Sequence, residues 1–371
     1  MSGTGPLGVG VIGAGVISGA YLDNLTRFPD LKVLAIGDAR PQAAADRAHA
    51  YDIAVHGDAE TVLHHPDVEL VVNLTVPSAH VDIARAALAA GRHVWNEKPL
   101  ALDRDEGQAL LHQANDGKLH LGCAPDTVLG AGLQTAQRLI ARGDIGTPLT
   151  ALTLMQSPGP EAWHPNPAFL FATGAGPLFD IGPYYLTTLV HTFGAVGQVA
   201  ASGSTARRTR TIGSGPRAGT TFDVEVPTHV GALLQFESGA SAQSVFSFDS
   251  PSPRAGFVEI TGTEATIAFP DPNQFDGTIR LWPAGADDWV EIPAEGATHG
   301  RGLGVLEMAR AIRTGGTPRA SGHLAQHVLD VMIAASDSVQ SGQFEPVTSS
   351  APSVPPLPVD FDPEAATLAP R

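Results

Sequence analysis

Near-continuous apolar runs alternate with Ala-rich stretches through the first third of the chain. LGVGVI (7–12), LKVLAIG (31–37), LVVNLTV (70–76) and HVWNE (93–97) read as strands apolar on both faces, as in a parallel sheet covered on both sides. Helices are expected between them, near 17–28, 41–51 and 78–91, which gives the βαβ rhythm of a doubly wound sheet. The rhythm stops after LHLGCAP (119–125), and a helix follows over 127–143, closed by a glycine. The pattern then becomes period two. The segment 148–156 and the runs THVGALLQF, SAQSVFSF, GFVEITG, ATIAF and TIRLW alternate and are joined by Gly, Pro and Asp turns, which suits a mostly antiparallel sheet. Helices over 304–315 and 323–342 close the fold, and the proline-rich remainder from about 346 reads as an extended tail.

The expected fold class is α/β. An N-terminal doubly wound parallel sheet of the Rossmann type over 1–125 is followed by an α+β domain with a large, mostly antiparallel open sheet over 126–345, and by the tail over 346–371. A chain of 371 residues exceeds one small core, which agrees with two domains. No apolar run is long enough to span a bilayer, and the first residues lack a basic secretory leader, so a cytoplasmic protein is expected. The single cysteine, Cys123, forms no internal disulfide and no multi-cysteine metal site. With 38 acids against 22 Lys and Arg, the net charge of -16 argues against nucleic acid as a partner. The densest basic cluster, ARRTR (206–210), reads as an exposed strand end or loop without function.

GVGVIGAGVIS (8–18) fits the dinucleotide-binding glycine pattern in two registers. Gly8, Gly10 and Gly13 match it literally, but TGPL before them is too short and too proline-broken for a buried strand, and the later glycines fall inside the apolar run. Gly13, Gly15 and Ser18 place the turn after VGVI and before a helix, so the amides of Val16 and Ile17 at the helix start would meet a pyrophosphate. Asp38, about 20 residues on at the end of the second strand, is the acid that would hold ribose hydroxyls. Its charge would repel the extra phosphate of NADP, so NAD is the expected cofactor. Arg40 keeps NADP possible, since its guanidinium could take that phosphate or stack on adenine.

Ligands of such a sheet bind at the C-terminal ends of its strands, which directs attention to TVPSAH (75–80) and NEKPL (96–100). Thr75, Pro77 and His80, and then Glu97 and Lys98, are the expected cofactor contacts there. A lysine beside a cationic nicotinamide can lose its proton readily and exchange one with a substrate hydroxyl.

Taken in order, GAGVIS, Asp38, the Glu97-Lys98-Pro99 triplet and GPLFDIGPYYL (176–186) resemble the glucose-fructose oxidoreductase, inositol dehydrogenase and rhizopine-catabolism family (Gfo/Idh/MocA) across the chain to about 345. The resemblance implies Lys98 as catalytic lysine and Asp180 as the aspartate hydrogen-bonded near substrate. Tyr184 stands where many members carry a histidine acid/base, which leaves Lys98 as principal acid/base and Tyr184 to orient the hydroxyl. It further implies substrate contacts from His164 and Asn166 in WHPNPAFLF (163–171). APDTVLG (124–130) departs from members that are arginine-rich here, which points to Asp126 and Thr127 as determinants of a different preference. A homodimer or homotetramer built through the open sheet face is implied as well.

The function expected is an NAD-dependent dehydrogenase acting on a secondary hydroxyl of a sugar, sugar derivative or cyclitol, with no membrane partner. Two alternatives accompany it: a redox-assisted glycosidase that retains NAD and uses the same residues, and a non-catalytic sugar-sensing regulator, for which Lys98 and Asp180 would be superfluous. No metal is expected. His323 and His327, four apart on one helix, lack a convergent third ligand. His191 reads as a packed histidine, and His64 and His65 as a surface helix end.

Overall fold

A computed structural model describes residues 5–368. The chain divides into two units, each built from separate stretches. The first takes residues up to Ala131, Glu295–Leu329 and from Leu357 on; the second takes Gly132–Ala294 and Asp330–Pro356. The single boundary expected near residue 125 does not describe this division, because the chain returns to the first unit twice.

The first unit begins with β1 (Leu7–Ile12), α1 (Val16–Leu25), β2 (Leu31–Gly37), α2 (Pro41–Ala50), β3 (Val55–Gly57), α3 (Ala59–Leu63) and β4 (Leu70–Asn73). It continues with α4 (His80–Ala89), β5 (His93–Asn96), α5 (Arg104–Asp116) and β6 (Leu121–Cys123). All six strands pair in parallel in the order β3-β2-β1-β4-β5-β6, the doubly wound arrangement. The sequence pattern missed β3 and α3, which are too short to show a period, and it passed over α5. It also ran β4 three residues too far. Beyond Asn73 the chain turns back on itself, with the Thr75 amide and hydroxyl both donating to Asn73 Oδ1 (3.3 and 2.7 Å).

Beyond the first sheet come α6 (Ala131–Arg142), β7 (Pro148–Gln156), α7 (Gly176–Phe193), β8 (Val196–Ser204), β9 (Thr209–Thr211) and β10 (Thr221–Asp223). Then follow β11 (His229–Phe236), β12 (Ser241–Ser247), β13 (Arg254–Gly262), β14 (Ala265–Phe269), β15 (Ile279–Pro283) and β16 (Val290–Ile292). The chain ends with α8 (Leu303–Thr314), α9 (Gly322–Ser341) and β17 (Glu345–Pro346). The expected helix over 127–143 is broken at Gly130, whose extended backbone separates a short 3-10 turn from α6. The second unit's nine-stranded sheet runs β16-β15-β14-β13-β7-β12-β11-β8-β17, antiparallel except between β7 and β12. A separate ribbon pairs β9 with β10.

Burial explains why α8 belongs with the first sheet. Val305, Leu306, Met308 and Ala309 on one side of this helix are wholly buried in a cluster with Val9, Val11, Tyr21, Leu22 and Trp95. Each of the Val, Leu and Met side chains contributes about 1.5–3 kcal/mol of burial. The C-terminal stretch expected to be an extended tail is tied to the same unit. Asp30, 1% exposed, accepts from Arg310 Nε (2.8 Å), Thr367 Oγ1 (2.6 Å) and the Leu368 amide (2.7 Å), while Leu357 is buried. Among the described residues no helix is long and apolar enough to cross a membrane.

Candidate active site

The turn between β1 and α1 is built on glycine for two separate reasons. Gly13 has φ of 108°, and a Cβ there would stand 2.5 Å from the Leu74 carbonyl oxygen. Gly15 caps α1, and a Cβ on it would meet nothing within 4 Å, so open ground lies in front of the helix start. Val16 is 96% exposed, Ile17 is exposed as well, and the first turn of α1 carries no acid. A helix N-terminus presented in this way has amides and a dipole aimed at an anion. Ser18, fully buried, closes the turn by donating from Oγ to the Gly15 carbonyl (2.7 Å). Gly8 and Gly10, the literal motif glycines, lie inside β1 instead. A Cβ would fall 1.9 Å from the Asp67 carbonyl oxygen at Gly8 and 2.4 Å from Val62 Cγ1 at Gly10, so their smallness serves packing.

Asp38 sits just past β2 and brackets this turn. Its Oδ2 accepts from the Ala14 amide (2.8 Å), and its Oδ1 from the Arg40 amide (2.8 Å) and Arg40 Nε (3.3 Å). Partial burial alone would raise this carboxyl, but the Ala14 and Arg40 hydrogen bonds and the Arg40 guanidinium outweigh it and hold the group below the ordinary aspartate range. Oδ1 already accepts two hydrogen bonds, while Oδ2 retains a lone pair for a further donor. The cradle thus fits a dinucleotide: open space and outward amides for phosphates, and an ionised acid for ribose hydroxyls.

The tips of β4 and β5 are joined by buried amides that the sequence reading missed. Asn73 Nδ2 donates to Asn96 Oδ1 (2.6 Å) and to the His80 carbonyl, and Asn96 Nδ2 donates to the Leu100 carbonyl (3.1 Å). An asparagine ending each of two consecutive apolar runs was the available signal. Glu97 and Lys98 follow directly. Both Glu97 oxygens are engaged within the protein, Oε1 by Tyr21 and Oε2 by the Lys98 amide, so its evident task is to hold the backbone at Lys98.

Two residues expected at the site are buried. His80, 1% exposed, directs Nδ1 at the Pro99 carbonyl (2.7 Å) and Nε2 at the Thr75 carbonyl (3.1 Å), between the loops that follow β4 and β5. Asp126 is fully buried and serves α8. Its Oδ2 accepts from the Gly302 and Gly304 amides (2.8 and 3.3 Å), and its Oδ1 faces Arg301 Nη1 (3.2 Å), which leaves no surface for substrate. Thr127 is buried too.

In the second unit, Asp180 and Tyr184 lie four residues apart on α7, hence on one helix face. Asp180 is half-buried and Tyr184 buried. The segment before this helix carries His164 and Asn166 and is braced by the β9–β10 ribbon. Asn166 donates its amide to His164 Nδ1 (3.0 Å) and accepts from Arg217 Nη1 (3.1 Å), Ser214 Oγ donates to the Trp163 carbonyl (2.7 Å), and the Gly213 amide donates to the Glu161 carbonyl (2.8 Å). Arg210 corrects the reading of ARRTR as wholly exposed. It is buried, paired with Glu161 and Asp249, donates to the Pro158 and Phe248 carbonyls (3.2 and 3.0 Å), and lies over the Phe171 ring. Arg207 and Arg208 are exposed as expected. Among the described residues no three His, Cys, Asp or Glu side chains converge as metal ligands; His323 is exposed and His327 buried.

A glycine turn at a helix start, an acid ending the next strand and a sheet of order β3-β2-β1-β4-β5-β6 define an NAD-binding oxidoreductase of the Rossmann class. Residues 7–123 match the oxidoreductase family with an NAD-binding Rossmann fold, and residues 133–268 match the GFO/IDH/MocA C-terminal domain. The chain belongs to the Gfo/Idh/MocA family. Levoglucosan dehydrogenase of Pseudarthrobacter phenanthrenivorans is 28% identical over 295 residues, spanning 71% of this chain and 73% of the relative. Inositol 2-dehydrogenase of Burkholderia vietnamiensis is 31% identical over 147 residues, spanning 38% of this chain and 44% of the relative. The solved structure of levoglucosan dehydrogenase in complex with NADH and L-sorbose has the same fold, with a TM-score of 0.82 at 23% identity over 92% of this chain and 99% of that one.

Proposed function

We propose that the protein is an NAD-dependent dehydrogenase that oxidises a secondary hydroxyl of a sugar, sugar derivative or cyclitol, or reduces the corresponding ketone. The names of its relatives support this substrate class. The observation that carries it is the position of Lys98. It leaves β5 at the same C-terminal edge of the parallel sheet where β1 delivers the Gly13–Gly15 turn, with its amide fixed by Glu97.

Bound NAD supplies the acceptor for the hydrogen and electron pair that leave the carbinol carbon. The turn at Gly13 and Gly15 and the Val16 and Ile17 amides hold the pyrophosphate, Asp38 accepts the ribose hydroxyls, Arg40 flanks the adenine, and Thr75 and Pro77 line the loop beyond β4. Asp38 is ionised and would oppose a 2′-phosphate, which favours NAD over NADP. Lys98, as the neutral amine, takes the hydroxyl proton and becomes the ammonium; in the reverse direction it returns that proton to the ketone oxygen. Asp180 and Tyr184 orient the reacting alcohol, and His164 and Asn166 contact its neighbouring hydroxyls. The protein acts in the cytoplasm as a homodimer or homotetramer formed through the nine-stranded sheet, whose central strand leaves Leu152 39% exposed. Sedimentation equilibrium reads that state directly, and a monomer would refute it.

Purified protein and NAD, incubated with a panel of sugars, cyclitols and glycosides, test the reaction through NADH fluorescence and product mass. A product lighter by two hydrogens with matching NADH is expected. Aglycone released without net NADH would reassign the chain as a redox-assisted glycosidase, and absence of any product would remove the proposal. Lys98→Ala should lower turnover by about a hundredfold or more while leaving NAD affinity intact.

A further inference from the structure

A hydrogen-bond chain that starts on α1 reaches the backbone of Lys98. The Tyr21 side chain is wholly buried on that helix; its hydroxyl accepts from Trp95 Nε1 (3.3 Å) and donates to Glu97 Oε1 (2.8 Å). The other Glu97 oxygen accepts from the Lys98 amide (2.9 Å). One buried carboxylate therefore has one arm on the helix behind the glycine turn and the other on the residue that carries the amine. Burial pushes the Tyr21 phenol far up, and the nearby Glu97 and Asp126 carboxylates push it further, so the hydroxyl keeps its proton and remains a donor.

We propose that Tyr21 is a positioning residue for Lys98, acting through the Glu97 carboxylate. The inference rests on reading Lys98 as the acid/base. A buried carboxylate keeps its charge and orientation only while donors hold it. Phenylalanine at position 21 would fill the same space and remove one donor. The carboxylate would then be able to turn away from the Lys98 amide. A lysine whose neighbouring carboxylate moves away from it releases its proton at lower pH. The helix that opens toward the cofactor thus also governs the reactivity of the proton carrier.

The chain has three lysines, and Lys32 and Lys118 are exposed, which gives two internal references for competitive acylation of the full-length protein followed by peptide mass spectrometry across pH. In Tyr21→Phe the labelling midpoint of Lys98 should fall by about half a pH unit, or about threefold more labelling near neutrality, with Lys32 and Lys118 unmoved. Glu97→Gln should shift it the same way and at least as far, and the double variant should match Glu97→Gln alone, because Tyr21 acts on Lys98 through the Glu97 carboxylate. An unmoved Lys98 profile in folded Tyr21→Phe, or shifts that add in the double variant, would overturn the proposal. If Tyr21→Phe does not fold, Glu97→Gln carries the test, and an unmoved profile there is equally fatal. Labelling needs no substrate, so the outcome stands apart from the sugar panel: failure to oxidise any polyol would sink the dehydrogenase reading and leave the Tyr21 result intact.

Discussion

A methyl group added at Gly13 would meet the Leu74 carbonyl and force a positive φ on a residue with a side chain. Gly13→Ala should cost about 2–4 kcal/mol in urea unfolding and abolish NAD binding by calorimetry. Gly15 has open space before it, so an equal loss of stability in Gly15→Ala would contradict the distinction. Asp126 shows how a residue can look functional in sequence and be structural in space. It caps α8, and Asp126→Ala removes the acceptor of the Gly302 and Gly304 amides and a carboxylate facing Arg301, at about 3–5 kcal/mol. The expected signature is a lower unfolding midpoint with KM unchanged; a raised KM at constant stability would restore the substrate role. The places of Lys98, Asp38 and the turn glycines at strand ends and in the β1–α1 turn were legible because strand and turn patterns depend on neighbours close in sequence. His80 and Asp126 were not, because burial and partners many residues away assigned their roles.

At the scale of elements, the beginnings of β5 and β6 carry a titratable pair. His93 and His120 stack with centroids 5.4 Å apart, and the His120 amide donates to His93 Nδ1 (2.9 Å). Burial, and then the neighbouring His120, push the His93 imidazole down to about 4; Glu69 acts in the opposite direction. The unfolded chain takes up this proton near pH 6.5 and the folded one only near 4, so stability is complete above 6.5 and declines as pH falls through that window. The loss reaches about 3 kcal/mol at most, and His93→Gln should flatten the slope of stability against pH between 4 and 6.5. An unchanged slope would mean that the ring is already protonated in the fold. Strand and helix positions were read well where the apolar period was long, as in β1, β2 and α9. The reading passed over α5 and α7, and it failed at β3 and α3, which have too few residues for a period, and at Gly130, where one extended residue interrupts an otherwise helical pattern.

For the whole molecule the decisive feature is that neither unit is one continuous stretch of chain. A fragment ending at residue 125 retains the entire parallel sheet but loses Val305, Leu306, Met308 and Ala309 of α8 and the Asp30 contacts to Arg310, Thr367 and Leu368. Such a fragment should show no cooperative thermal transition by circular dichroism. A fragment rejoined to residues 295–329 and 357–371 by short linkers should recover one. If the shorter piece unfolds cooperatively and binds NAD, the contribution of α8 has been overstated.

By itself the sequence determined the doubly wound sheet, the change to antiparallel strands, the register of the glycine turn and the lysine at the end of β5. Each of these is written in local periodicity, turn chemistry or a short motif, and strand and helix preferences act over a few residues. Only the tertiary structure decided that α8 and the C-terminal stretch complete the first core, that Asp126 caps a helix more than 170 residues away, that Arg210 is buried, and that Tyr21 and Glu97 hold Lys98. The physical reason is common to all four. Burying a charge or an apolar face requires a partner, and in this chain the partners come from distant stretches that no local pattern can pair.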